Sequence, residues 1–502
     1  MPPRAGDQGL VRILYAASEV TPFAKTGGLA DVAGALPAAL AGLGHDVKVV
    51  MPEYNGAKDK PGRYTPRGNI NVSLAGVVYP FDVHAGRLPE TGVKILFLSN
   101  SRLFDRPGLY QEKGKDYPDN LERFAAFSRA ILEVPGLLDW HPDVIHCNDW
   151  QTALIPAYIK AHFPEDPRFT GTGTLFTVHN LGYQGLFPAS EYPKLALPLE
   201  FFTPDTLEFY GKVNLLKAGL VFADILTTVS PTYSHEIQTP QFGCGLEGIL
   251  HERSNDLFGI INGVDYQRWD PAHDPHLGQP YDSRQLQGKR LCRGLLQKAS
   301  NLPVEEVPLI GMITRLTPQK GVDLVIEVLY ELMMLDLQIV ILGEGDPDIH
   351  VKLNEAMGRY PKKLSVHINF DESLAHLIEA GSDMFLMPSR YEPCGLNQLY
   401  SLRYGTVPIV RKTGGLADTI IDATPSNIAS GKANGFLFEH ASSHELLTTV
   451  RLAVKLFHEK DLWLQLIRNG MTADFSWDRS AREYERLYRL AIEKAAEKSK
   501  PE

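Results

Sequence analysis

The sequence predicts an α/β protein with two doubly wound, mainly parallel sheets. Strand-sized apolar runs alternate with amphipathic helical patterns along most of the chain, which indicates sheets covered by helices. A length of 502 residues is too great for one compact core, so two domains are expected. The sequence Lys-Thr-Gly-Gly-Leu-Ala-Asp occurs twice, at 25–31 and at 412–418, which suggests two Rossmann-like units that each carry a copy.

Composition and charge exclude several classes of partner. An apolar content of 44% and a charged content of 22% are typical of a soluble globular protein. The formal net charge of −10 argues against a nucleic-acid or anionic-membrane partner. Apolar runs such as 10–17 and 337–342 are too short to span a bilayer.

Two further features favour a cytoplasmic protein. Residues 1–8 contain no apolar segment of the kind found in secretory signals. The cysteines, at positions 147, 244, 292 and 394, lack the spacing of a metal site, so reduced thiols are the simplest interpretation.

The chain opens with a strand, a helix and a second strand, at about 11–17, 29–40 and 45–51. The loop after the first strand carries adjacent glycines, Gly27 and Gly28, instead of Gly-x-Gly-x-x-Gly, which disfavours a nicotinamide or flavin site. Adjacent glycines still let the backbone approach a ligand, and Lys25 adds a cation there. A flexible surface turn with a solvated lysine is the open alternative.

The middle of the first unit predicts an inserted antiparallel hairpin within 72–99 and a long loop at 104–120. A strand at about 143–148 then ends in Asp149, and a strand at 174–178 ends in the pair His179 and Asn180. Taken alone, Asp149, His179 and Asn180 could each have a purely structural role. Because the carboxyl ends of parallel strands share one edge, they are nevertheless expected to lie together with the 25–31 loop.

A second unit is expected to begin near 250–265. Its strands are predicted at 309–314, 337–343, 363–370, 383–388 and 407–411, with amphipathic helices between them and helices at the chain's end. Phe370 follows one strand, where its ring is placed either to stack on a base or to join the core. Asp346 and Asp348 match a metal-binding Asp-x-Asp pattern, but in an exposed loop, and no metal is expected there.

The most informative stretch of the second unit is 388–400. Glu392 lies between a buried strand and a helix predicted from about Cys394, with Gly405 as its stop. Amides at a helix opening favour an anion such as a phosphate. A nearby carboxylate would repel a phosphate, so Glu392 is better suited to hold sugar hydroxyls. An ordinary strand–helix connection with a solvated glutamate fits this stretch equally well.

Arg315 and Lys320 favour the binding interpretation. They follow the strand at 307–314, with Thr317 and Pro318 predicted as the N-cap and first residue of a helix. Cations at the start of a helix oppose its dipole, so both need another reason to be there. If the two strands share a sheet, these cations meet the amides of 394–397 and form a diphosphate clamp.

At Lys25–Leu29 and Glu392–Leu396, with Arg315 and Lys320 between them, the sequence resembles bacterial glycogen synthases and plant-type starch synthases. The resemblance runs over nearly the whole chain. It includes the motifs His146–Trp150, His179-Asn180, Asn262–Asp265 and Phe475–Asp478.

The resemblance implies the GT-B glycosyltransferase fold, with two Rossmann-like domains separated by a deep cleft. The first domain is expected at 1–255 and the nucleotide-sugar-binding domain at 256–476. A final helix at 477–502 is expected to cross back to the first domain.

The implied activity is transfer of glucose from ADP-glucose to the non-reducing-end 4-OH of an α-1,4-glucan such as glycogen or a maltooligosaccharide. The anomeric configuration is retained and no metal or other cofactor takes part. Retaining hydrolases use two carboxyls about 5–5.5 Å apart, and no such pair is identified here. The resemblance implies same-face attack instead, with the leaving phosphate accepting the proton.

The resemblance also implies residue roles. Arg315 and Lys320 neutralise the departing diphosphate, Glu392 holds glucose hydroxyls, and Phe370 stacks on adenine where relatives often have tyrosine. Asp149 and His179 complete the implied catalytic set. The implied substrate-binding residues are Lys25, Gly27, Gly28, Asp31, Tyr110, Asn180, Asn262, Phe370, Cys394, Gly395 and Leu396.

Other interpretations predict different behaviour. Another GT-B transferase would use UDP-glucose or a different acceptor, such as a lipid or a small sugar. A non-catalytic glucan-binding protein would keep its main activity without Glu392. A nicotinamide dehydrogenase would bind NADH, against which the missing glycine fingerprint argues.

Overall fold

The computed structural model describes residues 9–60 and 64–498, so the prediction about residues 1–8 lies outside the described part. The chain forms two compact units. The first contains the described residues up to Val229, then 234–263 and the chain from Trp477 onward. The second contains 230–233 and 264–476.

The first unit is built on one large sheet. Its elements in chain order are β1 (Arg12–Ala16), α1 (Gly28–Gly42), β2 (Asp46–Pro52), β3 (Thr65–Leu74), β4 (Val77–Arg87), β5 (Lys94–Ser99), α2 (Ser101–Phe104), β6 (Gln111–Glu112), β7 (Lys115–Asp116), α3 (Asn120–Ile131), α4 (Val134–Leu138), β8 (Val144–Asn148), α5 (Leu154–His162), β9 (Gly173–Val178), β10 (Leu186–Pro188), β11 (Glu208–Phe209), β12 (Lys212–Asn214), α6 (Leu215–Phe222), β13 (Ile225–Thr228), α7 (Pro231–Glu236, which straddles the two units), α8 (Glu247–Glu252) and β14 (Leu257–Gly259).

The strand order of this sheet is β14-β13-β9-β8-β1-β2-β5-β4-β3. Pairing is parallel from β14 to β5, and β4 pairs antiparallel with both β5 and β3. The antiparallel hairpin predicted within 72–99 is present as β3–β4, although β3 already begins at Thr65. The first unit continues past the expected residue 255 because β14 pairs with β13. The predicted long loop at 104–120 contains the small β6–β7 hairpin, which turns through Lys113 and Gly114 at positive φ.

The second unit is a parallel sheet covered on both faces. Its elements are α9 (Gln287–Ala299), β15 (Leu309–Ile313), α10 (Val322–Glu327), α11 (Leu329–Met333), β16 (Gln338–Leu342), α12 (Pro347–Arg359), β17 (Leu364–His367), α13 (Glu372–Gly381), β18 (Met384–Met387), α14 (Asn397–Tyr404), β19 (Val407–Arg411), α15 (Gly414–Thr419), α16 (Pro425–Ala429), β20 (Phe436–Phe438), α17 (Ser443–Phe457) and α18 (Lys460–Thr472).

The strand order of the second sheet is β17-β16-β15-β18-β19-β20, with parallel pairing throughout. Successive side chains of a strand point to opposite faces, and β18 shows the result. Met384 and Leu386 join one apolar core, whereas Phe385 and Met387 join the other. The predicted pair of doubly wound units is therefore confirmed.

The last helix, α19 (Trp477–Lys498), packs on the first unit against α1 and β9. A Cβ added at Gly173, the first residue of β9, would lie 2.5 Å from the carbonyl carbon of Ala491, so helix and strand backbones are in direct contact. The Nδ1 atom of His146, in β8, lies 2.8 Å from the hydroxyl oxygen of Tyr488, a buried residue of α19. Among the helices that the structure describes, none is long and apolar enough to cross a membrane.

Candidate functional site

The second unit brings Lys320 and Glu392 together at the carboxyl edge of its sheet. Lys320 follows β15 and Glu392 follows β18, and these two strands are neighbours. Lys320 Nζ donates to Glu392 Oε1 at 2.9 Å and to Oε2 at 2.6 Å. Ser389 Oγ donates to Oε2 at 2.9 Å. Glu392 is only 6% exposed, so it is not the solvated glutamate of an ordinary connection. We call Lys320, Ser389 and Glu392 the Glu392 cluster.

The local backbone differs from the prediction around Lys320. Residues 318–320 form a 3₁₀ turn, and Gly321 at φ +70° separates it from α10, so Lys320 precedes that helix. Thr317 holds the N-cap position without a side-chain capping bond. Thr317 and Pro318 thus hold their predicted N-cap and first positions, but in the short 3₁₀ turn. The prediction that Lys320 lies in the first turn of the α-helix is wrong, because the left-handed Gly321 stands between them.

The helix after Glu392 also starts later than predicted. α14 begins at Asn397 instead of Cys394, because Gly395 has φ +71° and cannot continue a right-handed helix. Its predicted end at Gly405 is confirmed, with φ +69°. Asn397 Nδ2 donates to the Ile313 carbonyl at 2.7 Å, which ties this helix start to the end of β15. Cys394 is buried, and Leu396 occupies the N-cap position.

Two other predicted residues of this unit lie at the same sheet edge. Arg315 follows β15, and its exposed guanidinium lies 3.5 Å from Gln319 Oε1. Phe370 follows β17 and is 84% exposed, which excludes the core-packing alternative. Asp346 accepts from the Asp348 N–H at 2.9 Å as the N-cap of α12, so the Asp-x-Asp pattern has a structural explanation.

The second copy of the repeated sequence, 412–418, supports the Glu392 cluster through its backbone. The Gly415 N–H donates to the Glu392 carbonyl at 3.2 Å and the Pro393 carbonyl at 3.1 Å. A Cβ on Gly414, at φ +43°, would lie 2.0 Å from that Glu392 oxygen. Close backbone contact with this loop therefore holds the Glu392 backbone in position.

Gly321 is equally restricted, and we expect Gly321→Ala to destabilise the second unit. Its Cβ would lie 2.1 Å from the Pro388 carbonyl, at a φ of +70°. The strain of a left-handed alanine alone is roughly 1–3 kcal/mol, and the clash adds to it. Thermal melting measures the loss. The control is Gly358→Ala in α12, where a Cβ meets nothing within 4 Å and a gain of up to about 1 kcal/mol is expected. Equal melting temperatures for the two variants would contradict the interpretation.

In the first unit, the 25–31 loop is organised around a carboxylate that sequence reasoning missed. Glu19, 4% exposed, accepts from Thr26 Oγ1 at 2.6 Å and from the Gly27 N–H at 3.3 Å. Tyr110 OH donates to Glu19 Oε1 at 2.7 Å. Lys25 Nζ pairs with Asp31 Oδ1 at 2.7 Å. The position of Glu19, just beyond the carboxyl end of β1, was the available signal.

The glycine pair of this loop is open on its outer side. A Cβ at Gly27 or Gly28 would meet no atom within 4 Å, and both residues are exposed. The Tyr110 ring packs near Trp150, with 6.2 Å between centroids, so the 104–120 segment is anchored to the loop after β8. The backbone at Gly27 and Gly28 can therefore be approached closely from outside.

Asp149 and His179 are in contact, as their positions at adjacent strand ends predicted. Asp149 Oδ1 accepts from the His179 backbone N–H at 2.7 Å. His179 Nε2 lies 2.9 Å from Asn148 Oδ1. Asn148 Nδ2 donates to the Ala16 carbonyl at 3.0 Å, so its oxygen faces the imidazole and the ring proton is on Nε2. Burial lowers the pKa of His179 to about 3, which keeps the ring neutral.

Two predicted residues of this unit remain: Asn180, whose backbone N–H also donates to Asp149, and Asn262. Asn180 Oδ1 accepts from the Gly182 N–H at 2.9 Å and stabilises the turn after β9. Asn262 is 5% exposed, and its Oδ1 is buried with no hydrogen-bond partner among the residues that the structure describes.

The pKa of Asp149 predicts a measurable pH dependence. Burial raises it from 3.8 to about 7, and the Glu19 charge adds to this, while the N–H groups of His179 and Asn180 lower it. Because the folded pKa is above the unfolded one, this stabilisation is complete below about pH 4 and is lost as the pH rises through about 7. In that window the free energy of unfolding falls by up to about 1.4 kcal/mol per pH unit.

Asp149→Asn is the matched variant, because asparagine tolerates the φ of +53° and still accepts from the His179 N–H. The lowered pKa of His179 acts with the opposite sign between about pH 3 and 6.5, so only the difference between the two proteins isolates Asp149. We expect the stability of the unaltered chain relative to that of the variant, measured by thermal melting, to decrease between about pH 4 and 7. Parallel curves would overturn the assignment.

Comparisons with known proteins cover both units. The family model of the starch synthase catalytic domain matches residues 12–252, and that of glycosyl transferases group 1 matches residues 296–469. The glycogen synthase of Syntrophotalea carbinolica is 48% identical over 96% of this chain and 99% of its own length. The glycogen synthase of Desulforudis audaxviator is 47% identical over 97% of this chain and 98% of its own length.

Two solved structures are also similar. The catalytic domain of starch synthase IV from Arabidopsis thaliana, bound to ADP and acarbose, matches with a TM-score of 0.89 and 34% identity, over 97% of this chain and 100% of that one. Sucrose-phosphate synthase from Thermosynechococcus elongatus matches with a TM-score of 0.59 and 17% identity, over 96% of this chain and 99% of that one. The second likeness concerns the fold alone.

Proposed function

The chain belongs to the glycogen and starch synthase family, a family of GT-B glycosyltransferases, and from this we propose that it transfers glucose from ADP-glucose to an α-1,4-glucan. The acceptor we propose is the 4-OH at the non-reducing end of glycogen or a maltooligosaccharide. The similarity to a starch synthase solved with ADP and acarbose supports both the nucleotide and the glucan.

The observation that carries the proposal is the Glu392 cluster. The buried carboxylate is bound by the Lys320 ammonium and the Ser389 hydroxyl at the carboxyl edge of a parallel sheet, where ligands of such sheets bind. We assign to Glu392 the hydroxyls of the transferred glucose. To Lys320 and Arg315, with the amides near Gly395, we assign the diphosphate.

Charge development gives this assignment a catalytic meaning. Cleavage of the glycosidic bond leaves positive charge on the anomeric carbon and negative charge on the diphosphate. A fixed cation at the diphosphate end therefore stabilises the transition state more than the ground state. We propose that glucose is transferred with retention, that the leaving phosphate accepts the acceptor proton, and that no metal or cofactor takes part.

In the first unit, we propose that the open glycine pair and Lys25, positioned by Asp31, bind the donor. Neutral His179 and Asp149 serve the sugar and acceptor side. The same side includes Tyr110, Asn180 and Asn262. Phe370 is proposed to stack on adenine, for which its exposed ring is suited.

We also propose a cytoplasmic location. All four cysteines are free thiols, which accords with a reducing compartment.

A donor comparison tests the proposed reaction. The purified chain is incubated with glycogen and radiolabelled ADP-glucose or UDP-glucose, and label in the polymer is counted. Incorporation from ADP-glucose at a much higher rate than from UDP-glucose is expected. The reverse preference would favour another transferase of this fold, and no incorporation from either donor would refute the synthase assignment.

A further inference from the structure

Three side chains of the second unit converge between the connecting segment 264–286 and α13. They are His276, Glu372 and His376. Each offers one possible ligand atom, and these atoms all lie within 4.8 Å of one another. Glu372 and His376 are one turn apart on the same face of α13. We propose that this trio, the His376 cluster, binds one divalent transition-metal ion such as Zn²⁺, a site that goes beyond the proposed glucosyl transfer.

His376 carries the inference. It is 1% exposed, and its Nδ1 lies 2.7 Å from Asp274 Oδ2. Its Nε2 is buried and has no hydrogen-bond partner within 9–60 and 64–498. A buried polar nitrogen without a partner is costly. An imidazole whose other nitrogen is held by a carboxylate is also the usual arrangement of a metal-ligating histidine.

The imidazole is also fixed in orientation. Trp269 stacks on it with 3.9 Å between ring centroids and an interplanar angle of 5°. Trp269 is stacked in turn against Tyr400, at 3.8 Å and 5°. Asp274 Oδ2 accepts from Tyr404 OH as well, which holds the carboxylate in place. The ring of His376 is therefore held in one orientation, and with it the direction in which Nε2 could bind an ion.

The other two ligands keep a suitable atom available. His276 Nδ1 lies 3.3 Å from Ser373 Oγ, which leaves Nε2 for an ion. Glu372 forms an ion pair with Arg268 through Oε1, which leaves Oε2. The Glu372 side chain is 44% exposed, and His276 is also exposed, so small rotations can bring both closer to His376.

The ligand set defines the class of ion. Two imidazole nitrogens and one carboxylate oxygen suit Zn²⁺, Co²⁺ or Ni²⁺ better than Mg²⁺ or Ca²⁺, which prefer oxygen. Tetrahedral coordination with Zn–N near 2.0 Å needs ligand atoms about 3.3 Å apart. The ion would link segment 264–286 to α13, and no step of glucosyl transfer uses it.

The test uses the full chain after treatment with EDTA. Titration with CoCl₂ is followed by the visible ligand-field bands of bound Co²⁺, and titration with ZnCl₂ by calorimetry. One ion per chain and a higher melting temperature with Zn²⁺ are expected. No Co²⁺ bands and no heat from Zn²⁺ would overturn the proposal.

Two variants at exposed ligands locate the site. His276→Ala and Glu372→Gln should each weaken Zn²⁺ binding by at least about tenfold, the lower end of the loss for even a supporting partner. Melting temperatures in EDTA close to that of the unaltered chain show that the fold is kept. The control is His440→Ala, an exposed histidine with Nδ1 2.6 Å from Glu445, which should leave binding unchanged. Equal affinity in His276→Ala and the unaltered chain would refute the site.

Discussion

Glu392→Gln lowers the turnover of glucosyl transfer from ADP-glucose by roughly 10²- to 10³-fold, the scale for removing one electrostatic group aimed at a reacting centre. Glutamine keeps the size of the side chain and still accepts from Ser389. It removes the charge that holds Lys320 at 2.6 Å and that is proposed to bind the sugar hydroxyls. Steady-state kcat and KM with ADP-glucose and glycogen measure the loss.

A structural role for Glu392 would give a different pattern. The matched control is Glu355→Gln in α12, whose side chain is 62% exposed and pairs with Arg359 of the same helix. This control should keep full activity, because surface ion pairs contribute little. A Glu392→Gln enzyme with normal kcat, or with activity lost only in proportion to unfolded protein, would refute the proposed role.

Lys320→Ala reduces the transition-state stabilisation that kcat/KM reports by roughly 2–4 kcal/mol. This is the range for truncating one partner of a buried charge pair or one transition-state donor. The reduction should fall mainly on kcat, because the negative charge on the diphosphate increases as the bond breaks. Lys352→Ala, an exposed lysine of α12, is the control and should have no effect. An unchanged kcat/KM for Lys320→Ala would contradict the assignment.

The double variant separates two functions of the same ion pair. If Lys320 acts only by positioning Glu392, the double variant Lys320→Ala, Glu392→Gln is no slower than the worse single variant. If each residue binds its own part of the donor, the losses add, apart from the coupling energy of the pair. The proposed mechanism predicts losses that are close to additive.

The sequence predicted the architecture well because parallel sheets leave a strong local signal. Strands β8, β9 and β16 are buried along their full length, and the apolar runs at these positions show it directly. The carboxyl ends of parallel strands lie at one edge of their sheet, whatever the side chains are. This rule correctly placed Asp149 and His179 at one edge of the first sheet, and Lys320 and Glu392 at one edge of the second.

The errors arose where one glycine or a distant partner decided the backbone. Gly321 and Gly395 both have positive φ, which delays α10 and α14 relative to the predicted starts. The amphipathic pattern could not reveal this, because a glycine in a helical pattern is compatible with either outcome.

The two copies of the repeated sequence show the same limit. Lys25 pairs with Asp31 inside its own loop, whereas Lys412 pairs with Glu439. Asp418 accepts instead from the hydroxyls of Ser230 and Thr232. Identical residues thus have different contacts, because their partners come from parts of the chain far away in sequence.

The position of α19 has a consequence for biosynthesis. The ribosome synthesises the helix that covers β9 only after it has completed every strand of the first sheet. Until Tyr488 has left the exit tunnel, His146 Nδ1 lacks its tyrosine partner and the surface around Gly173 is exposed to water. A nascent chain that stops at residue 476 therefore has every strand of that sheet but leaves the part around β9 without its covering helix.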